Sequence, residues 1–415
     1  MHKRFLLYIV LLAFIFPSCR KEIHPLVPES VRKTIDESGT NRIEFIKSIA
    51  RYQDLNDTVK LNALYYLIEN MRGHGYKTYL LQDNKGKLVD YNIREYDSYK
   101  ALIKAKDSVS NRRGSLKFIR HYFGPDKFYV TAQELNQQVN HSYQQWKTNP
   151  WSKNYSFDMF CEKILPYRSN DAVLDSIFRI NNEIRSDKKT FQDRDVFKIA
   201  GQVLDSVESR MSFDKRFLEH PTDRMPAYIK TNQKGRTEDA AALMVNMLRN
   251  SGIACAIDYV PYPGERGDAV TYWVVVWDAE GNRQSFYPFK DSLRVISHPV
   301  KVFRRTYHTY NRPLPDDSLY RFLKYHQLKD GKYKDVTEEY IPTTSWHVSL
   351  NELGGVDKLQ PVFLVVQTNS GWLPIDWRYF TKSHLFRELA PGKRYALMDH
   401  EGNVLTEKML PKHPE

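Results

Sequence analysis

Hydrophobic residues recur along the chain with two different periods. In several stretches before residue 250 they return every three to four positions, the spacing of an amphipathic helix. This period predicts helices over residues 40–52, 59–71, 132–146, 196–211 and 240–249. From residue 253 onwards, apolar positions alternate with polar ones or form short apolar runs, and both patterns predict strands. The two periods together predict an α+β fold.

One helix followed by three strands is predicted between residues 235 and 289. The helix closes with the sequence LRNSGIA, in which Gly252 suits the left-handed residue that ends many helices. The strands are predicted over residues 253–260, 269–278 and 284–289. This order, with a Gly-x-x opening at Gly235, resembles the transglutaminase-like superfamily. The resemblance implies a papain-like α/β core with an antiparallel sheet.

The same resemblance implies where a catalytic triad would lie. In the superfamily a cysteine in Gly-x-Cys-x-Asp begins the helix, a histidine stands two residues before a tryptophan, and an acidic residue follows on the third strand. A helix N-terminus lowers a thiol pKa, and an imidazole oriented by a carboxylate completes the activation. The corresponding positions here hold Thr237, Thr271 before Trp273, and Lys290. We therefore expect a pseudoenzyme, a scaffold without catalytic activity.

Thr237 leaves two interpretations open. Its hydroxyl could be the nucleophile of an acyl-transfer or peptidase-type enzyme with a non-standard site. A threonine nucleophile needs a base within hydrogen-bond reach, which Thr271 cannot provide. Alternatively, the Thr237 hydroxyl caps the helix by accepting a hydrogen bond from an otherwise free backbone N–H.

The N-terminus predicts an exported protein. A short basic region precedes an apolar run of twelve residues, from Phe5 to Phe16, which is too short to span a membrane and suits a signal peptide. The run ends at Pro17-Ser18-Cys19, which resembles a bacterial lipobox. This resemblance implies an acylated Cys19 and an outer-membrane anchor, with the protein facing the periplasm or the outside. Cleavage and release by an ordinary signal peptidase is the alternative.

Motifs outside the core extend the resemblance to Bacteroidetes transglutaminase-like lipoproteins. They include VKLNALYYLIENMRGHGY and SFDMFCEKILPYR before the core, and DVTEEY and GWLPIDW after it. The predicted organisation is a signal peptide (1–18), a tether (19–29), a helical N-terminal region (30–150), a transglutaminase-like core (151–310), a linker (311–334) and a C-terminal β-sandwich (335–415).

Composition excludes several classes of function. The chain has 415 residues and a net charge of +12, but its Lys and Arg are scattered and no nucleic-acid-binding module is present, so we expect no nucleic-acid partner. Metal-binding motifs and phosphate-binding glycine loops are also missing from the sequence, so we expect no cofactor and no metal. Cys161 and Cys255 are predicted to be buried, inert thiols, and His74 a turn or capping residue.

The leading hypothesis is an inactive transglutaminase-like envelope lipoprotein that binds a glycan, a peptide or an envelope protein. There are two alternatives: the acyl-transfer or peptidase-type enzyme that uses Thr237, and a purely structural envelope protein. A polar and aromatic pocket near Thr237, Thr271 and Trp273 would favour binding, whereas a cleft filled by Arg236 or Tyr272 would favour the structural role. The possible binding residues are Arg236, Tyr272, Trp273, Trp372 and Trp377. For Trp372 and Trp377, core packing in a sandwich strand is the competing interpretation.

Overall fold

A computed structural model describes most of the chain. It covers residues 27–174, 193–224, 233–261, 271–289, 299–310, 328, 331–354, 356, 359–368 and 371–412. The helices are α1 (Glu29–Asp36), α2 (Arg42–Asp54), α3 (Thr58–Asn70), α4 (Tyr99–Arg113), α5 (Ala132–Thr148), α6 (Phe157–Lys163), α7 (Val196–Arg210) and α8 (Thr237–Asn250). In this part of the chain, no helix is both long and apolar enough to cross a membrane.

Sixteen strands are described. They are β1 (Gly75–Gln82), β2 (Leu88–Val89), β3 (Lys117–Pro125), β4 (Ser212–Phe213), β5 (Lys234–Gly235), β6 (Cys255–Val260), β7 (Thr271–Trp277), β8 (Arg283–Phe286), β9 (Phe303–Arg305), β10 (Tyr333–Asp335), β11 (Thr344–Ser349), β12 (Pro361–Thr368), β13 (Gly371–Tyr379), β14 (Ser383–Leu389), β15 (Arg394–Met398) and β16 (Val404–Met409). The mixture of helices and antiparallel sheets confirms the predicted fold class.

The N-terminal region is less helical than predicted. Helices α1, α2, α3 and α5 contribute Ile35, Phe45, Leu64 and Leu135, respectively, to one buried core. Beside them, β1 pairs with β2 and β3 in a three-stranded antiparallel sheet that the sequence did not predict. Strand β3 is largely solvent-exposed and therefore lacks the buried alternating face on which strand prediction depends.

The central sheet has five antiparallel strands in the order β10-β9-β6-β7-β8. Helices α7 and α8 cover one face, where Ala240, Met244 and Leu248 of α8 pack on Ile257 and Val274. The core of the N-terminal region covers the other face. Because both faces are buried at β6 and β7, these two central strands are largely apolar on both sides, as strands between two layers must be.

A buried ion pair ties the N-terminal region to the chain that leads into this sheet. Arg168 donates through Nε and Nη2 to the two carboxylate oxygens of Asp126, each at 2.5 Å. Its Nη1 donates to the backbone carbonyl of Ala172 at 2.7 Å. Both charged side chains are almost completely buried.

Two further antiparallel sheets follow the central one. They have the orders β13-β12-β15-β16 and β11-β14, and they share one core that includes Trp346, Phe386, Leu364 and Leu397. This arrangement agrees with the predicted C-terminal sandwich. The end of the predicted linker differs from expectation, because Tyr333–Asp335 pair with β9 as the edge strand of the central sheet.

Candidate functional site

Helix α8 begins in a cluster of buried charged side chains. The guanidinium of Arg236 donates to Asp223 at 2.9 Å and lies 3.1 Å from a carboxylate oxygen of Glu238 and 3.2 Å from one of Asp239. The backbone N–H of Arg236 donates to Asp239 at 2.9 Å. Arg236 therefore occupies the cap position, and Thr237 is the first helical residue and not the cap.

The carboxylates of this cluster pair with two guanidinium groups in a buried environment. Glu238 also accepts a hydrogen bond from Arg305, so that two guanidinium groups face the carboxylates of Asp223, Glu238 and Asp239. Burial raises the pKa of Glu238, although both guanidinium groups oppose that shift. Burial would also raise the pKa of Asp223, but the charges of Arg305 and Arg236 outweigh it and lower that pKa.

This cluster continues into the N-terminal region. A side-chain oxygen of Asp223 accepts the backbone N–H of Asp171 at 2.8 Å. The Asp171 carboxylate binds the ammonium groups of Lys77 at 2.8 Å and Lys332 at 2.6 Å. Burial acts against the charged form of Asp171, yet the two lysines hold its pKa well below the usual value. We call the whole set the ion network; its members are Lys77, Asp171, Asp223, Arg236, Glu238, Asp239, Arg305 and Lys332.

Tyr272 is the residue of β7 that faces the start of α8. Its ring stacks on that of Tyr259, with the centroids 5.1 Å apart, and the guanidinium of Arg305 lies 5.2 Å from its centroid. Burial, followed by the charge of Glu238, raises the pKa of Tyr272 well above its ordinary value. Tyr272 packs with the residues that α8 covers.

Trp273 lies on the opposite face of the sheet. Its indole N–H donates to the hydroxyl of Tyr340 at 2.9 Å, and that hydroxyl donates to Asp258 at 2.6 Å. Arg304 binds the same carboxylate through two bonds of 2.8 Å. Successive residues of a strand face opposite sides, so Thr271 shares the face of Trp273 and not that of Tyr272.

A wide cleft lies on the N-terminal side of the ion network. Its volume is about 780 Å³, and α1, α3, β1, β3 and the chain around residues 308–310 and 331–332 form its described walls. Phe123 and the partly exposed Tyr310 contribute aromatic faces. Six cationic side chains line it, and we call it the basic cleft; they are Lys33, Arg72, Lys77, Arg120, Lys127 and Lys332.

His74 lies behind this cleft as a core residue. Its Nε2 lies 2.9 Å from the carbonyl oxygen of Tyr307, and its ring stacks on the Tyr307 ring at 4.3 Å. Burial, with the nearby charge of Lys332, lowers the pKa of His74 to about 3. The imidazole is therefore neutral, and it borders a separate cavity of about 30 Å³, enough for roughly one or two waters.

The part of the chain around α8 matches a known protein family. Residues 180–289, which include α7, α8, β6, β7 and β8, match the transglutaminase-like superfamily. This part of the chain is a transglutaminase-like domain. No curated protein and no solved structure matched the chain.

The transglutaminase-like domain keeps the flanking residues of the superfamily motif at the start of α8. Gly235 and Asp239 stand where Gly-x-Cys-x-Asp requires them, with Thr237 between them at 2% exposure. Thr271 begins β7 and is also buried. Lys290 and Cys19 lie outside the described residues. The assignment of Thr237, Thr271 and Lys290 to the triad positions stays a prediction.

Three of the five possible binding residues are buried. Arg236 is held in the ion network, Trp273 bonds to Tyr340, and the indole of Trp377 donates to the carbonyl of Leu328. Burial leaves these three side chains little surface for a ligand, which argues against the binding role expected of them. Tyr272 and Trp372 are half-buried.

The two tryptophans of β13 share a face because of a register shift. They are five residues apart, which would place them on opposite faces of a regular strand. The pairing of β12 with β13 shifts at Leu364, and both tryptophans then pack in one cluster with Phe363. The core-packing interpretation of Trp377 is confirmed.

Both cysteines that the structure describes are free and buried, as expected. Burial raises the pKa of the Cys161 thiol to about 12 and that of Cys255 to about 11. Neither thiol ionises near neutral pH, so neither is activated as a nucleophile.

Sequence reasoning missed the ion network around Arg236. Asp171, Asp223, Arg305 and Lys332 come from separate segments, and no local spacing connects them. One signal was available in the sequence: Glu238 and Asp239 are adjacent carboxylates at the start of an apolar helix. Buried carboxylates need cationic partners, and this need could have prompted a search for distant arginines.

Proposed function

We propose that this chain is a lipid-anchored envelope protein whose transglutaminase-like domain is catalytically silent and which binds a ligand through another surface. The ligand would be a glycan, a peptide or an envelope protein, and acylated Cys19 would hold the protein on the outer membrane.

The burial of Thr237 carries the proposal of a silent domain. An acyl-transfer nucleophile must reach the carbonyl carbon of its substrate, and it needs a base beside it. Thr237 is 2% exposed, and the residue before it, Arg236, lies at the centre of the ion network. Tyr272, the β7 residue that faces this helix terminus, is not a general base at neutral pH, because its pKa is raised. These features argue against the alternative enzyme.

The basic cleft supports a binding role over a purely structural one. Arg236 fills the position where a substrate cleft was expected, and by itself this favours a structural protein. The basic cleft, however, is open and lies elsewhere, and its volume falls within the range of roughly 300–1,000 Å³ that is usual for ligand sites.

Catalytic silence is tested with the full chain. We would measure amine incorporation into casein and hydrolysis of peptide amides by the wild type and by Thr237→Ala, with Thr40→Ala as an exposed threonine control. The proposal expects the same background rate from all three proteins. A rate above background that disappears only in Thr237→Ala would establish the enzyme instead.

A further inference from the structure

We propose that the small cavity beside His74 is a binding site for a buried water molecule, which bonds to His74, Ser169 and Arg305. The water would join the N-terminal region to the central sheet at the edge of the ion network. The proposed binding function does not involve this cavity.

Three buried polar atoms around the cavity have no hydrogen-bond partner among the residues that the structure describes. They are Nδ1 of His74, Oγ of Ser169 and Nε of Arg305. All three residues line the cavity, and His74 and Ser169 are only 3% and 8% exposed. Buried polar atoms of native proteins are almost always paired, either with protein groups or with ordered water. The three atoms therefore mark a site for a small polar molecule.

Direct contacts bring these side chains to the same cavity from different parts of the fold. The His74 ring, which precedes β1, stacks on the ring of Tyr307. Tyr307 lies two residues after Arg305, the last residue of β9. Nη1 of Arg305 donates to the backbone carbonyl of Ser169 at 3.4 Å. A molecule bonded to all three side chains would therefore bridge the N-terminal region, the chain that leads into the central sheet, and the sheet itself.

The bond at its other ring nitrogen decides what His74 offers to the cavity. Nε2 lies 2.9 Å from the carbonyl oxygen of Tyr307, which can only accept, so Nε2 carries the ring proton. The imidazole is neutral, because burial lowers its pKa to about 3. Nδ1 is therefore an acceptor without a proton, and its partner must be a donor.

Arg305 offers the opposite character to the cavity. Its Nε–H can only donate, whereas the Ser169 hydroxyl can donate or accept. A water molecule satisfies all three groups, because it donates to Nδ1 of His74, accepts from Nε–H of Arg305 and takes either role toward Ser169. Three hydrogen bonds are the usual number for a buried water.

Other small occupants fit these groups less well. A chloride ion has no proton to donate to Nδ1 of His74, and a metal cation would be repelled by the guanidinium of Arg305. The cavity volume of about 30 Å³ lies far below the roughly 300 Å³ of the smallest usual ligand pockets. It is sufficient for the bridging water and leaves room for a second one.

A high-resolution crystal structure of the full chain, with bromide in place of chloride in the crystallisation buffer, tests the site. We expect electron density for a water within roughly 2.7–3.2 Å of His74 Nδ1, Ser169 Oγ and Arg305 Nε. Bromide scatters anomalously and water does not, so we expect no anomalous peak in the cavity.

Oxygen-17 magnetic relaxation dispersion counts long-lived internal waters in solution. Ser169→Val removes the hydroxyl and places methyl groups in the cavity, whereas Ser115→Val makes the same change at an exposed residue outside it. We expect Ser169→Val to lose about one long-lived water relative to the wild type, and Ser115→Val to lose none.

The nitrogen-15 NMR signals of His74 in the wild type give a further measurement that needs no variant. We expect a neutral ring at pH 7 with its proton on Nε2. The proposal is overturned by a cavity without density for a bound molecule, by an anomalous bromide peak there, by a His74 proton on Nδ1, or by equal water counts in the wild type and Ser169→Val. If Ser169→Val does not fold, the crystal structure and the His74 signals decide the question.

Discussion

Thr271 and Tyr272 are adjacent in β7 and face opposite sides of the central sheet. Tyr272 packs on the side of α8, beside Arg305 and Glu238, whereas Thr271 shares the face of Trp273. The superfamily resemblance assigns the histidine position to Thr271. Strand geometry makes Tyr272 a second candidate for the residue nearest the start of α8.

Introduced histidines distinguish the two positions. Thr237→Cys places a thiol in the first turn of α8, where the helix dipole favours the thiolate. Combined with Tyr272→His, we expect a thiol pKa below that of Thr237→Cys alone and below the roughly 8.5 of a free cysteine. The measurement is the ultraviolet absorbance of the thiolate as a function of pH, which needs no reagent to reach the buried thiol.

The control for that experiment is Thr237→Cys with Thr271→His. The sequence alignment predicts that this pair lowers the thiol pKa, and the strand geometry predicts that it does not. A lower pKa for the Thr271 pair and no change for the Tyr272 pair would restore the alignment. Turnover is not expected from either variant.

Arg236 should be essential for stability because of the carboxylates around it. Arg236→Ala removes from a buried site the guanidinium group that pairs with Asp223, Glu238 and Asp239. Removing one partner of a buried ion pair costs roughly 3–5 kcal/mol. Urea unfolding should show a loss of this size for Arg236→Ala and a smaller one for Arg236→Lys. The exposed Arg32→Ala is the control, and an equal effect of all three substitutions would contradict the prediction.

Glu388 should make stability depend on pH. Burial, followed by a hydrogen bond that the protonated Glu388 carboxyl donates to Asp335 and by the charge of Asp335, raises the pKa of Glu388 to about 8 from an ordinary 4.5. A folded-state pKa above the unfolded one means that stability is fully present below about pH 4.5 and is lost as the pH rises to about 8. Glu388→Gln stays neutral, so its melting temperature should fall less over this range.

The control for Glu388→Gln is a substitution at a carboxylate that is exposed to solvent. Glu407 is exposed on β16, and Glu407→Gln should keep the pH dependence of the wild type. If Glu388→Gln and the wild type lose stability in parallel between about pH 5 and pH 8, the carboxyl group of Glu388 is already charged in the folded protein.

Anchoring is tested at Cys19. The apolar run before it and the polar tether after it predict an acylated cysteine. Cells fed a fatty-acid analogue should label the wild type, and Cys19→Ala should lose both the label and the membrane fraction. Cys161→Ala is a suitable control because that thiol is buried. Equal labelling of the wild type and Cys19→Ala would remove the lipid anchor from the proposal.

The sequence predicted the elements whose apolar faces are regular. Helices α3, α5 and α8 and strands β6 and β7 lie within a few residues of the predicted ranges, because each buries one face or both faces along most of its length. Strands β1 and β3 were missed. They belong to a small sheet with exposed residues on β3, where burial imposes no period on the sequence.

The charged residues of the site were harder to predict from the sequence than the helix and strands that surround them. The motif located the start of α8, and the basic character of Arg236 was visible. What fills the site is decided by Asp171, Asp223 and Arg305, which are brought there by long-range folding. The basic cleft likewise gathers side chains from α1, β1, β3 and the end of the central region.

The buried pair between Asp126 and Arg168 limits how this protein can be divided. The two residues lie on either side of the predicted boundary at residue 150, and each is the counterion of the other in a site closed to water. A fragment cut at that boundary would carry a desolvated charge with no partner, which disfavours its folding. The predicted core, residues 151–310, is therefore not a portable module, and grafting it onto another protein requires the N-terminal region to be transferred with it.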